Sequence, residues 1–206
     1  MDILTFGDPG ARTVLVQPVD GHDLAGIDNE LRLIRESSPQ PFRLIAVKVG
    51  SWNRDLSPWS APAVFGDEGF EGKAQETLDG ILPLLDEGCV CHIGGYSLAG
   101  LFALWAVCRT DRFRGAAAAS PSVWFPGFLP FLQQQAVHAS AVYLSLGDRE
   151  EKARSPVLSA VGDRIRETDA LLESRHIPHI LEWNEGNHFR DGDIRTAKAF
   201  AWLLNR

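Results

Sequence analysis

Sulfur and phenol are scarce in this 206-residue chain, which has three cysteines, one methionine and two tyrosines. Cys89, Cys91 and Cys108 are too few and too clustered to build a disulfide scaffold. Cys89 and Cys91, two apart in an apolar run, are expected on one face of a strand. Buried free thiols suit a reducing compartment, and a cytoplasmic location is the expectation. Positive charge is also short: 20 Lys and Arg face 27 Asp and Glu, a net charge of −7 with no basic run. Nucleic-acid backbones and anionic membranes would meet repulsion, so neither is an expected partner. The apolar run Leu98 to Cys108 is too short to span a bilayer, and Met1 to Thr5 lacks the basic start of a secretory leader. There is no Rossmann or Walker glycine pattern, no zinc-type cysteine pairing and no helical His-Glu-x-x-His, so neither cofactor nor metal is implied.

The chain is 45% hydrophobic and 23% charged, the balance of one compact domain spanning residues 1–206. Short β-rich runs at Thr13–Gln17, Leu44–Val49, Val90–Ile93, Gly115–Ala119, Ala141–Leu146 and Ile180–Trp183 read as strands. Between them, apolar residues recur every three to four positions over Leu24–Arg35, Glu71–Leu82 and Val157–Leu172. A further helix is expected from Ile194 to Leu204, with Asp193 as its N-cap. Pro83 should kink or end the helix over Glu71–Leu82, Pro18 should end the first strand, and residues 51 to 69 read as loop. Alternating strands and helices imply a mainly parallel sheet covered on both faces, a three-layer α/β/α sandwich.

The most specific stretch is His92-Ile93-Gly94-Gly95-Tyr96-Ser97-Leu98-Ala99-Gly100. An apolar strand enters Gly95, and a helix apolar almost all round leaves from Ser97, the context of a nucleophile elbow. The sharp turn demands small neighbours, and Gly95, Ala99 and Gly100 supply them. Ser97 is therefore the expected nucleophile; Ser122 and Ser145 lack this setting. A serine hydroxyl needs a base. His188 lies in Asn184-Glu185-Gly186-Asn187-His188-Phe189, between the last strand and the last helix, on the rim where the elbow opens. His92 falls in a strand body, and His176 and His179 at the wrong end of one.

An acid is expected between them, from Gly147-Asp148-Arg149-Glu150-Glu151. Glu150, three after Gly147, is far enough into the loop to reach across and is the leading candidate, with Asp148 and Glu151 as alternatives and a serine–histidine dyad as a fourth reading. For the oxyanion hole, the Leu98 amide follows the nucleophile, and Val19, with Asp20 next, comes from the loop after the first long strand. Asp20, His22, Arg54, Trp59, Tyr96 and Trp124 are candidate substrate-binding residues. The aromatics have a competing role sealing the core, and Arg54 one in an ion pair with Asp55.

With these residues in view, the chain resembles the α/β-hydrolase superfamily, and within it the esterase D and enterochelin-esterase-like group. The resemblance covers about residues 12 to 204. It rests on Gly95, Ser97 and Gly100; on Ser120-Pro121-Ser122 with Trp124; on Arg54-Asp55-Leu56-Ser57-Pro58; and on Gly186-Asn187-His188-Phe189. The family's acid sits three after a glycine, which here implies Glu150 behind Gly147. Of the family's longer N-terminal lead-in only Ile3 to Phe6 is expected here, and no large cap is expected over residues 121 to 140. The resemblance implies a serine esterase acting on a small-molecule ester through Ser97, His188 and Glu150; a homodimer is compatible with it. An amidase or peptidase would use the same residues, and a non-catalytic binding module is the competing class.

Overall fold

The computed structural model describes residues 1–64 and 66–206. Its strands are β1 (Asp2–Gly7), β2 (Thr13–Val19), β3 (Arg43–Lys48), β4 (Ser60–Ala61), β5 (Phe70–Glu71), β6 (Val90–Tyr96), β7 (Gly115–Ala119), β8 (Ala141–Gly147) and β9 (His179–Asn184). The helices are α1 (Gly21–Ser37), α2 (Trp52–Leu56), α3 (Ala74–Ile81), α4 (Leu98–Ala106), α5 (Phe128–Gln134), α6 (Pro156–Ser159), α7 (Val161–Ser174) and α8 (Gly192–Leu204). Seven strands form one sheet in the order β1-β3-β2-β6-β7-β8-β9. All neighbours are parallel except β1, which runs antiparallel to β3 at the edge. The remaining pair, β4 and β5, makes a small hairpin.

Parallel strands need crossovers, and these put apolar cover on both faces. On one face, Leu15, Val19, Leu44 and Tyr143 pack against Ile27, Leu31 and Ile34 of α1 and Phe200 and Leu203 of α8. On the other, Val14, Val16, Ile93 and Leu144 meet α3, α4 and α7 through Leu78, Leu101, Phe102 and Ile165. Every residue of α4 is buried, as its nearly continuous apolar sequence requires. Each fully buried Leu or Phe there contributes about 2 kcal/mol. That packing holds the turn at its N-terminus.

Several boundaries differ from the sequence reading. The strand expected to stop at Pro18 runs on to Val19, because β2 pairs with β6 only as far as Val16 and no ladder partner there needs the missing amide of Pro18. The helix expected from Leu24 opens three residues earlier, at Gly21, capped by Asp20. Part of the expected loop over 51–69 folds into α2 and the β4–β5 hairpin; Phe65 lies outside the described residues. The helix expected over Val157–Leu172 is two, α6 and α7, separated at Ala160. Pro83 ends α3 in a single 3-10 turn. Asp193 is not the cap of α8; Asp191 holds that position in a left-handed conformation, and Asp193 sits in the first turn.

Candidate active site

The elbow is where the sheet and α4 meet. Ser97 has φ 57° and ψ −117°, a region that costs a non-glycine residue about 1–3 kcal/mol. Its amide donates to the carbonyl of Ala119 on the neighbouring strand (3.0 Å), and its carbonyl accepts from the amides of Leu101 and Ser122 (each 3.0 Å). The small neighbours are needed for close approach. A Cβ on Gly95 would lie 2.6 Å from that of Ala99, and one on Gly100 would lie 3.0 Å from the Gly95 carbonyl.

The β9–α8 connection then brings a ring to the hydroxyl. His188 Nε2 is 2.9 Å from Ser97 Oγ, and His188 Nδ1 is 2.7 Å from Glu150 Oε2. Glu150 lies in a 3-10 turn directly after β8. Its second oxygen accepts the Gly147 amide at 2.8 Å. Only glycine fits at 147, because a Cβ there would collide with the Gly186 carbonyl and press on Arg195 and Glu150 itself. Burial pushes the Glu150 carboxyl up, but the hydrogen bond and charge of His188, the Gly147 amide and Ser120 outweigh it, and the net shift is downward. An ionised Glu150 requires the proton on Nδ1, which leaves Nε2 to accept from the serine hydroxyl.

A buried arginine absent from the sequence reading completes the cluster. Arg195 of α8 is 1% exposed. Its Nη1 lies 3.0 Å from Glu150 Oε1, 3.1 Å from Ser120 Oγ and 3.0 Å from the Tyr96 hydroxyl. Its Nη2 donates to the carbonyls of Glu185 and Asn187, each at 3.1 Å. The signal was present: Arg195, Ala199 and Leu203 recur at intervals of four, which puts a charge in line with the buried stripe of the helix. Ser122, without the setting of a nucleophile, also belongs to the cluster. It is 1% exposed, with Oγ 3.3 Å from that of Ser97.

The remaining candidates divide. Asp148 accepts the Gly186 amide at 2.8 Å and braces the histidine loop, while Glu151 pairs with Arg166 at 2.8 Å, away from His188. Leu98 is the first residue of α4, where helix geometry leaves the amide without an internal acceptor. Val19 is a correction. Its carbonyl accepts from Val49 and it lies opposite Lys48; N–H and C=O of one strand residue face the same side, so its amide faces β3 rather than Ser97. The Asp20 amide faces the other way and donates to Asp23 at 3.1 Å, within the capping box of α1. His22 is exposed in the first turn of α1.

Tyr96 is committed below the rim, donating to the His188 carbonyl at 2.9 Å with its ring 5.2 Å from the imidazole. Burial pushes its hydroxyl up to about 12, so it stays protonated and able to donate. Arg54 pairs with Asp55 at 2.8 Å. Trp59 donates to the Pro126 carbonyl at 2.9 Å and packs on Phe125 and Phe131, joining its loop to α5. Trp124 packs beside Phe70. Cys91 and Cys108 are buried, whereas Cys89 is only half-buried, just ahead of β6.

A cleft of about 370 Å³ lies at the opposite end of the sheet, lined by Thr13, Val90, His92, Arg114 and Pro178, and touches none of Ser97, Glu150 or His188. Among the described residues there is no group of three or more His, Cys, Asp or Glu placed to hold a metal ion, and no helix is long and apolar enough to cross a membrane.

No protein-family model and no curated protein sequence matches the chain. Solved structures do. An IroE-like serine hydrolase from Shewanella oneidensis superimposes with a TM-score of 0.79 at 17% identity, covering 98% of this chain and 75% of that one. The siderophore hydrolase EstB from Aspergillus nidulans gives 0.62 at 16% identity, covering 93% and 81%. A Bacillus cereus carboxylesterase gives 0.63 at 18% identity, covering 99% and 94%. Together with the strand order, the left-handed serine after β6 and the helices on both faces, these likenesses show that the chain has the α/β-hydrolase fold.

Proposed function

We propose that this protein is a serine-dependent hydrolase of carboxylic esters. The observation that carries the reading is the unbroken line from Ser97 Oγ through His188 to Glu150, with steps of 2.9 and 2.7 Å. Ser97 attacks the ester carbonyl as its proton passes to Nε2 of His188, giving a tetrahedral oxyanion and an imidazolium facing the Glu150 carboxylate. The imidazolium then gives that proton to the departing alkoxide. A water molecule, deprotonated by the same nitrogen, attacks the acyl-serine; the imidazolium returns that proton to Ser97 Oγ as the acid leaves. His188 is partly exposed at the rim, so water has access for this second half.

The Leu98 amide is one oxyanion donor. The Asp20 amide is the second, because alternation along β2 turns it away from β3 and toward the β6 side; it must exchange the Asp23 carboxyl for the substrate oxygen. A neighbour named as a carboxylesterase supports ester over amide chemistry. The test is labelling of the purified chain with a fluorophosphonate, location of the adduct by mass spectrometry, and turnover of p-nitrophenyl esters beside the matching p-nitroanilides. An adduct on Ser97 with ester turnover is expected. Labelling elsewhere, or none, removes the assignment, and faster anilide turnover makes the protein an amidase.

A further inference from the structure

Arg195 makes no contact with the serine, yet its guanidinium touches the ends of four strands or the loops that follow them. Tyr96 ends β6, Ser120 follows β7, Glu150 follows β8, and the carbonyls of Glu185 and Asn187 belong to the loop after β9. Ser97 and His188 ride on the first and last of these. Tyr96 extends the connection by donating to the carbonyl of His188 itself. We propose that Arg195 is the positioning residue of this site, holding Glu150 and the His188 loop in register with Ser97; this rests on the serine-hydrolase reading above.

Three features favour this role over simple core packing. A charged side chain that is 1% exposed is rare unless it is paired and hydrogen-bonded. The planar fork suits the arrangement, since Nη1 serves the carboxylate and hydroxyls while Nη2 serves two backbone carbonyls. Its charge also faces the Glu150 oxygen that His188 does not use: Oε1 goes to Arg195 and Gly147, and Oε2 to His188. The carboxylate is thereby clamped in rotation, with one oxygen aimed at the imidazole. Besides Tyr96, charged groups near this loop have side-chain partners of their own: Asp148 accepts the Gly186 amide, and Arg190 pairs with Glu185 and Asp191.

The positive charge has a second consequence. Without it, Glu150 would present an uncompensated carboxylate to His188, which favours the imidazolium and moves the acid limb of activity to higher pH. Loss of packing alone would not move that limb.

The experiment is the second-order rate of fluorophosphonate labelling of the full chain against pH, for the wild type, Arg195→Met and Arg195→Lys, each shown to be folded by circular dichroism. This probe needs no knowledge of the natural ester. In Arg195→Met the plateau is expected to fall at least about tenfold and the acid limb to rise by about one pH unit. In Arg195→Lys, which keeps the charge but not the fork, the limb should stay while the plateau falls. An unmoved limb in folded Arg195→Met, or wild-type rates in the lysine variant, overturns the proposal.

Should Arg195→Met not fold, a double-mutant cycle of Arg195→Lys with Glu150→Gln decides. A role exercised through Glu150 makes the combined loss smaller than the product of the two, and a full product overturns it. Absence of any Ser97 labelling in the wild type would instead defeat the hydrolase reading, so the two failures are distinguishable.

Discussion

Glu150 and Glu30 are both buried carboxyl groups, 6% and 2% exposed, on opposite sides of the same question. Glu150 meets a histidine, an arginine and a backbone amide, and its carboxyl is held below the ordinary range. Glu30, on α1 beneath the sheet, receives one bond of 3.3 Å from Gln17. Its other oxygen and the Gln17 carbonyl oxygen are without partners among the described residues. Burial pushes it up to about 8, the Gln17 bond opposes this only in part, and Asp23 and Asp193 add to the rise. Burial penalises the charge in both places. What differs is whether cations and donors surround the carboxylate, so the charged form survives only at the rim, where the proposed chemistry uses it.

The contrast can be tested hardest at the rim. Ser97→Ala and His188→Ala should each lower kcat/KM for a p-nitrophenyl ester by about 10⁴-fold or more, with little change in Tm. A His188→Ala enzyme that kept a tenth of its rate would disconnect the carboxylate from any base.

Next, Glu150→Gln should cost about 10²- to 10³-fold in kcat, since a neutral amide neither fixes the Nδ1–H form of His188 nor stabilises the imidazolium. Asp148→Asn in the same assay should stay within about threefold. If Asp148→Asn loses the rate and Glu150→Gln keeps it, the acid is Asp148; if both keep it, the site is a dyad.

The other half of the comparison predicts a gain. The folded state holds the Glu30 proton up to about pH 8, while an unfolded chain releases it near 4.5. The stability this represents is present below about pH 4.5 and is lost as pH rises through 8. Glu150, shifted the other way, contributes stability above the ordinary carboxyl range that is lost on acidification. Glu30→Gln should therefore stabilise the protein at pH 8 by about 2 kcal/mol, roughly 5 °C in Tm, because the new amide can donate to the free Gln17 oxygen. Its effect at pH 5 should be small. Equal effects at both pH values, read by thermal denaturation, would mean that Glu30 does not titrate in this range.

The smallest expected effect concerns the brace behind the site. Asp148→Ala removes the acceptor of the Gly186 amide and should lower stability by about 1 kcal/mol. Any loss of kcat should be recovered on cooling, which distinguishes a loosened loop from a lost acid.

Much of this was legible in one dimension. Strand–helix alternation, Gly95 and Ala99 around Ser97, and the Gly-Asn-His turn are patterns of local spacing, and backbone sterics act over the same few residues that carry them. Boundaries were less secure where local rules competed. Pro18 reads as a stop, but beyond Val16 the strand has lost β6 as a partner and tolerates it. Asp193 reads as a cap, but its carboxylate accepts from Asn29 of α1 instead.

The sequence by itself determined which groups the proposed chemistry could draw on: a serine at an elbow, a histidine at the rim, carboxylates between them in chain order. Tertiary structure alone decided which groups are partners. Glu150 outranks Asp148 and Glu151 because its turn after β8 aims one oxygen at His188, while its neighbours are taken by Gly186 and Arg166. Arg195 comes into play because the β9–α8 crossover returns the last helix beneath four strand ends. Val19 drops out because the ladder to β3 orients its amide away from the serine. In each case the deciding contact joins elements brought together only when the sheet forms. Direction and burial, rather than residue type, then fix which donor meets which acceptor.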